Sequence, residues 1–421
     1  MSLKSTQIAI WIIIIYLSVL YAGCSIKNQF SVINFAPLYS EQEKPLITGV
    51  RVFHESDSLS RIYVRYRPSS LKYEVKVGSN FNRADYTFSY KIFKNYESKI
   101  VLDSGAFRLY DSLYFQNQLS LVYNFSVKTP GLGNWVVELK FSDLNRAAES
   151  YYPVQINKSR NENAQDFLLV DENDEVIFED WINWKTRFRI ITTKTNIENL
   201  FVDYYDQVFP EASPPFSMAH APVYQLTQKE RFVIKVDNGI TDYLQYGREG
   251  FSHFRSDTSA MNGFTLFRFH DDYPQMKDDM LLPGPMRYLT TDSEFYAIAG
   301  SDDYKAKLEK FWIEIAGNEN RGLQLMSDYF SRVELANLYF SSYKEGWKTD
   351  RGLIYIIFGP PVQVYRRSGI ETWIYGDPQK RSSLRFDFIA NQNPFTFNDF
   401  ELIRQPDFKS PYYIAVDFWR R

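Results

Sequence analysis

Several groups of residues in this 421-residue chain carry side chains suited to chemistry. The most concentrated is Lys348-Thr349-Asp350-Arg351, directly behind Gly346-Trp347. A cation, a hydroxyl, a carboxylate and a guanidinium beside an indole could line a cleft. Asp350 could serve there as a general base if burial shifted its proton affinity. The same residues have a structural use, which is the stronger reading. Thr349 or Asp350 caps a helix by accepting an unpaired backbone N–H, and Arg351 pairs with a carboxylate. No nucleophile accompanies them: the sequence has no Gly-x-Ser-x-Gly elbow and no Ser-x-x-Lys set.

His220, His253 and His270, the last beside Asp271 and Asp272, supply the donor types of a zinc site. No two of them stand one helical turn apart, so loop or sheet-surface histidines are expected. Asp171-Glu-Asn-Asp-Glu175 is acidic but lacks the glycine and late glutamate of a calcium loop, and reads as a hairpin turn. Gly131-x-Gly133 precedes a strand rather than a helix, which makes it a turn and not a phosphate cradle. No catalytic residue, metal or cofactor is expected from these patterns.

The elements that would position the 346–351 cluster are legible around it. Leu353 to Phe358 is a nearly unbroken apolar run, closed by Gly359 and stopped by Pro360-Pro361. A buried strand competes, because Ile354 to Phe358 have good β-propensity. The cap in front and the Gly-Pro stop behind favour a short buried helix, with Trp347 as its hydrophobic lid. This stretch resembles the GWxTD-domain family, on Gly346, Trp347, Thr349 and Asp350. The resemblance continues through Arg351-Gly352, Gly359-Pro360-Pro361 and Trp373-Ile374-Tyr375. Upstream it takes in Phe311-Trp312 and the run Arg332 to Asn337, so it covers about the last third of the chain. It implies no established activity. The expectation drawn from it is an interaction surface, with Trp347, Trp373 and Tyr375 in the core or at its rim and Lys348, Asp350 and Arg351 as exposed contacts.

The N-terminus has Lys4, then a short apolar run from Ile8 to Leu20, then small residues, which is the pattern of a secretory signal. Ala22-Gly23-Cys24 resembles the lipobox of bacterial lipoproteins, which implies cleavage before Cys24 and its lipidation. Cys24 is the only cysteine, so no disulfide can form within the chain. Ser25 in place of an aspartate implies, by the same resemblance, the outer membrane of a Gram-negative cell. Residues 24–46 are expected to be the lipidated cysteine and a tether.

A formal net charge of −3 gives no electrostatic footprint for nucleic acid. Aromatic residues make up 17% of the chain, which suits half-buried strands first and sugar-stacking surfaces second. Residues 47–158 alternate in short runs such as Ile62 to Tyr66, Tyr86 to Phe93 and Trp135 to Phe141, broken by turn residues. They predict an immunoglobulin-like β-sandwich. Residues 159–299 predict a second β-rich domain with strands at Phe188 to Thr192, Leu200 to Tyr205, Phe232 to Val236 and Phe264 to Phe269. Within it, Gly239 to Arg255 reads as an irregular excursion and Pro210 to Pro222 as a loop.

Residues 300–421 predict an α+β domain. One helix is capped near Ser301 to Asp303 and a second runs over 322–339, with Arg332 and Asn337 off its buried seam. An antiparallel meander follows. The expected fold is therefore mostly β, tandem sandwiches followed by helices and a meander. The expected function is that of a non-enzymatic outer-membrane lipoprotein binding another cell-envelope protein, with glycan binding or processing as the alternative.

Overall fold

The computed structural model describes residues 30–40, 46–75, 82–112, 118–159, 161–218, 226–380 and 383–421. The stretch read as a secretory signal, Cys24, Ser25, Gly78 to Asn80 and His220 lie outside the described residues.

Residues 47–158 form a two-sheet sandwich. Strands β1 (Ile47–His54), β2 (Leu59–Tyr66) and β6 (Leu121–Lys128) make one sheet, in the order β1-β2-β6. The other has the order β3-β4-β7-β8, from Glu74–Val75, Asn82–Phe93, Gly133–Asp143 and Ala148–Lys158, with β5 (Asp103–Ser112) also paired to β4. All pairings are antiparallel, and the chain changes sheet after β2, β5 and β6, the connectivity of an immunoglobulin-like sandwich. Alternation decides which side faces in: Ser60, Ile62, Val64 and Tyr66 of β2 are buried while the residues between them are not. They meet Phe88, Val137, Leu139 and Phe141 of the facing sheet in one core. Strands β5 and β8 were not read from the sequence. Leu71, Tyr73, Val75 and Val77 alternate as a strand would, but over the described part of that stretch only the two residues of β3 are paired.

The second region is one continuous antiparallel sheet rather than two. Strand β10 (Arg187–Thr192) pairs with β9 (Phe167–Asp171) and with the short β14 (Leu244–Gln245), and leads on through the short β13 (Ile240–Thr241). The sheet continues into β12 (Glu230–Asp237), β11 (Asn199–Tyr205), β15 (Gly250–Arg255) and β16 (Phe264–Arg268). It curls until both ends share a core: Leu169 of β9 packs with Phe254 and Leu266 from the far end. Gly250–Arg255, expected as part of an irregular excursion, is a strand paired on both edges with Phe251 to Arg255 all buried. Its buried polar side chains hid it, since His253 and Arg255 interrupt the apolar pattern that reveals a strand.

The C-terminal region is helices followed by a meander, as the sequence predicts. Helices α1 (Asp292–Ala299), α2 (Tyr304–Ala316) and α3 (Glu319–Phe340) precede α4 (Asp350–Phe358). The sheet β17-β18-β19-β20 follows, from Gln363–Arg367, Ile370–Tyr375, Leu384–Ala390 and Phe400–Leu402, and α5 (Lys409–Trp419) ends the chain. Tyr329, Val333, Ala336 and Phe340 of α3 form the expected seam against Leu353 to Ile357 and Trp373. Asn337, expected off that seam, is fully buried in it. Its amide is what makes this tolerable: Nδ2 donates to the Pro274 carbonyl (3.1 Å) and Oδ1 accepts the Trp347 N–H (3.0 Å). The core of this region also takes in Met276, Leu282, Met286 and Tyr288, well before residue 300.

Residues 30–40, expected as tether, are built into this core. Phe30, Phe35, Ala36 and Tyr39 are all buried. Phe30 stacks on Phe93 and Tyr96 of the sandwich at 5.9 and 5.2 Å. Phe35 N–H donates to the Val364 carbonyl (2.8 Å), and Asn34 Oδ1 accepts the Val364 N–H (2.9 Å). The strap thus covers the outer edge of β17, which would otherwise present unpaired backbone. Its pattern concealed it, because the four residues it buries, at positions 30, 35, 36 and 39, follow neither helical nor strand periodicity.

Candidate functional site

The 346–351 cluster is assembled where α3, α4 and the meander meet. A 3₁₀ turn over Gly346–Lys348 leads into α4. Gly346 lies against the backbone of α3, where a Cβ would come 2.0 Å from the Ala336 carbonyl oxygen. Gly352 faces it, with a Cβ position 2.0 Å from the Gly346 carbonyl oxygen. The two glycines let three backbone segments stack without side chains between them. Trp347 is the expected lid, 8% exposed, edge-on to Tyr288 and seated over Gly284.

Thr349 is the N-cap: its Oγ1 accepts the Gly352 N–H (3.0 Å) and donates to the Gly346 carbonyl (2.7 Å). Asp350 does not cap. Its carboxylate takes both terminal nitrogens of Arg404 (2.5 and 3.0 Å) and the Leu402 N–H (2.8 Å), clamping β20 to the start of α4. At the other end Gly359 has φ +79°, and its carbonyl accepts the Tyr375 hydroxyl (2.8 Å). Pro360 is exposed beyond it.

Arg351 corrects the expectation of an exposed contact. It is 2% exposed, sandwiched between Phe400 (4.2 Å) and Phe340 (5.2 Å). Its Nη2 donates to the Asn398 carbonyl (2.9 Å) and to the Asn398 side chain, and its Nη1 lies 3.5 Å from Glu371. Asp350 is also largely covered, with 10% of its side chain exposed. Lys348 is covered too, at 15%, and pairs with Glu345 at 2.8 Å. The polar quartet therefore faces inward because each charge finds an opposite charge or an aromatic face there.

Glu371 is the centre of this inward network. It is fully buried, and it receives Arg366 Nε (2.7 Å), Trp373 Nε1 (2.8 Å) and the Tyr39 hydroxyl (3.2 Å). Burial would raise its carboxyl pKa, but Arg366 and Arg351, with the Trp373 and Tyr39 hydrogen bonds, more than offset this and hold it below the usual value. Burial pushes the Tyr39 hydroxyl up to about 12, so it donates rather than ionises. Sequence reading missed Glu371, Arg366, Tyr39, Asn398 and Arg404. One signal was available for the first: Glu371 lies two residues from Trp373 in a strand, hence on the same inward face.

The histidines stand apart from this cluster. His253 is fully buried, with Nδ1 against Thr265 Oγ1 (2.9 Å) and Nε2 against the Met261 carbonyl (3.2 Å). Burial lowers its pKa to about 4, which leaves it neutral at pH 7. His270 packs edge-on against Tyr273 at 5.2 Å, and burial lowers its pKa as well. Among the described residues, no three His, Cys, Asp or Glu side chains converge. No helix among them is long and apolar enough to cross a membrane.

Residues 250–421 match the family model of the GWxTD domain. The match starts at β15, so the last two strands of the curled sheet belong to the matched segment together with the helices and meander. No curated protein matches the chain.

Proposed function

We propose, given a GWxTD domain as the C-terminal part of this chain, that the protein is a non-enzymatic lipoprotein of the outer membrane that holds another cell-envelope protein there. In this reading Cys24 carries the lipid, and the GWxTD domain sits at the membrane-proximal end. The observation that carries the reading is the strap. Five residues lie between Cys24 and Phe30, a span of six residue steps, and Phe30 to Tyr39 are already fixed in the domain core. An extended chain spans at most about 3.3–3.6 Å per residue, so the anchor lies within about 20 Å of Phe30. Phe30 also stacks on Phe93 and Tyr96, so the anchor lies close to the sandwich and to the GWxTD domain alike.

The motif itself lends no support to a catalytic role, and its covered side chains leave any partner contact to other surfaces of the domain. Thr349, Asp350 and Arg351 each have their polar atoms engaged by the fold: a cap, a clamp on Arg404 and a stacked guanidinium. A general base needs a free lone pair aimed at a substrate, and Asp350 directs both its oxygens at Arg404. What the motif specifies is the placement of α4 between α3 and the meander.

The test is co-purification of the full lipidated protein from gently solubilised membranes, with mass spectrometry of what remains bound. The expected result is one envelope protein in a fixed ratio. An outer-membrane preparation in which the protein stands alone overturns the scaffold reading.

A further inference from the structure

We infer that the cleft between the strap, the sandwich, the curled sheet and α3 is a binding site for an anionic amphiphile: a carboxylate or phosphate head on an aliphatic body. The cleft has a volume of about 820 Å³ and draws its walls from all four parts of the molecule. That lies within the range of small-molecule sites, roughly 300–1,000 Å³.

Charge identifies the head group. Four arginines line the cleft, Arg51, Arg65, Arg67 and Arg366, against two acids, Glu179 and Asp180. Three of the arginines are already paired: Arg51 with Asp180 at 2.7 Å, Arg65 with Glu179 at 2.5 Å, and Arg366 with Glu371 at 2.7 Å. The Arg67 side chain is half-buried and makes no hydrogen bond or ion pair among the described residues. Its guanidinium is not taken up by any carboxylate of the cleft and is available to an anion there. Its fixed fork of donors suits a carboxylate or phosphate in two-point contact.

The walls identify the body. Leu38, Val50, Leu335 and Leu338 bring aliphatic surface into the cleft from the strap, the sandwich and α3. An alkyl chain buries against such walls at a gain of about 25 cal/mol per Å². Phe178, Trp181 and Phe267 add aromatic surface from the curled-sheet side. This inference is independent of the partner-binding role and of lipidation at Cys24.

The experiment is equilibrium dialysis of radiolabelled laurate and dodecyl phosphate against the full chain in detergent, with detergent alone subtracted. Dodecanol is the uncharged control. The expected result is one equivalent of at least one anion per chain, with dodecanol at least tenfold weaker. Laurate alone would mark a fatty carboxylate as the ligand, and dodecyl phosphate alone a lipid phosphate. Arg67→Glu is expected to weaken binding at least tenfold, and Arg67→Lys, which keeps the charge but loses the fork, to weaken it by a smaller factor. Leu338→Asp places a negative charge at a cleft residue that is 46% exposed, so the fold tolerates it, and it should weaken the anions by a similar factor. Dodecanol binding as tightly as the anions, or anion binding unchanged in both Arg67→Glu and Leu338→Asp, would overturn the assignment.

Discussion

Gly346 and Glu371 show how tightly the fold constrains the motif and the residues packed against it. A methyl group at Gly346 would meet the backbone of α3 rather than a side chain that could swing aside. Overpacking costs about 1–3 kcal/mol even where neighbours can adjust. Gly346→Ala should therefore lose at least about 3 kcal/mol in denaturant unfolding. Gly247→Ala, where nothing lies within 4 Å, should stay within about 0.5 kcal/mol of the parent. Equal losses at both positions would show that close packing is not why the motif begins with glycine. Glu371→Gln keeps the shape and removes the charge that Arg366 and Arg351 share. Removing one partner of a buried ion pair typically costs about 3–5 kcal/mol. Arg366→Met/Glu371→Gln should be less destabilised than the sum of the single changes, because the orphaned charge leaves with its partner. Thr349 was legible as a cap because capping is local. Arg351 was not legible, since its partners Phe400, Asn398 and Glu371 come from other elements and no spacing in the sequence announces them.

Helix α1 illustrates what is decided at the scale of elements. It starts on a reciprocal cap: Thr291 Oγ1 accepts the Glu294 N–H (3.3 Å), and Glu294 accepts the Thr291 N–H (2.8 Å). Glu294 also binds both terminal nitrogens of Arg420, at 2.6 and 2.9 Å, which fastens the end of α5 to the start of α1. The Arg420 hydrogen bonds, helped by those from Thr291, hold the Glu294 carboxyl at about 2, against an ordinary 4.5. A carboxyl depressed in the fold stabilises it fully above the ordinary value, and that contribution disappears as pH falls through the folded one. The melting temperature should accordingly drop between pH 4.5 and about 2, and Glu294→Gln should flatten that part of the profile. With 34% of the Glu294 side chain exposed, solvent screens the pair and the effect stays small. An acid arm of unchanged slope in the variant would mean that other carboxylates carry it. Helix α1 was not read from the sequence, which assigned its residues to the second β-rich region, although Thr291-x-x-Glu294 has the spacing of a capping box. The long elements, β2, β4, β7, α3 and the meander, were readable because a single buried face imposes a period. The curling of the second sheet was not readable, because it depends on Leu169 and Leu266 meeting across a hundred residues.

At the scale of the whole molecule, the strap changes what the anchor does. A free tether would let the body wander over the bilayer. Here Phe30 is fixed between the sandwich and the GWxTD domain, Tyr39 donates to Glu371, and the Tyr39 carbonyl accepts the Tyr355 hydroxyl (2.8 Å). Any lipid on Cys24 would then orient both units at once, over a leash of about 20 Å. Cys24 is the only cysteine, so once it is acylated an introduced cysteine is the sole free thiol. Val32 is 58% exposed beside the buried Phe30, so Val32→Cys can be labelled without entering the core. In the lipidated protein in nanodiscs, a donor at position 32 should transfer energy efficiently to headgroup acceptors, reporting a separation of about 20–30 Å, the leash plus the two residues beyond it. Phe30→Asp should release the strap, broadening that distance and lowering thermal stability together, since the aromatic stack it breaks belongs to the shared core. A narrow distance well above about 40 Å would place the domain away from the membrane and refute the proximal arrangement. No difference between the parent and Phe30→Asp, in distance or in stability, would show that the strap does not hold the two units to the anchor.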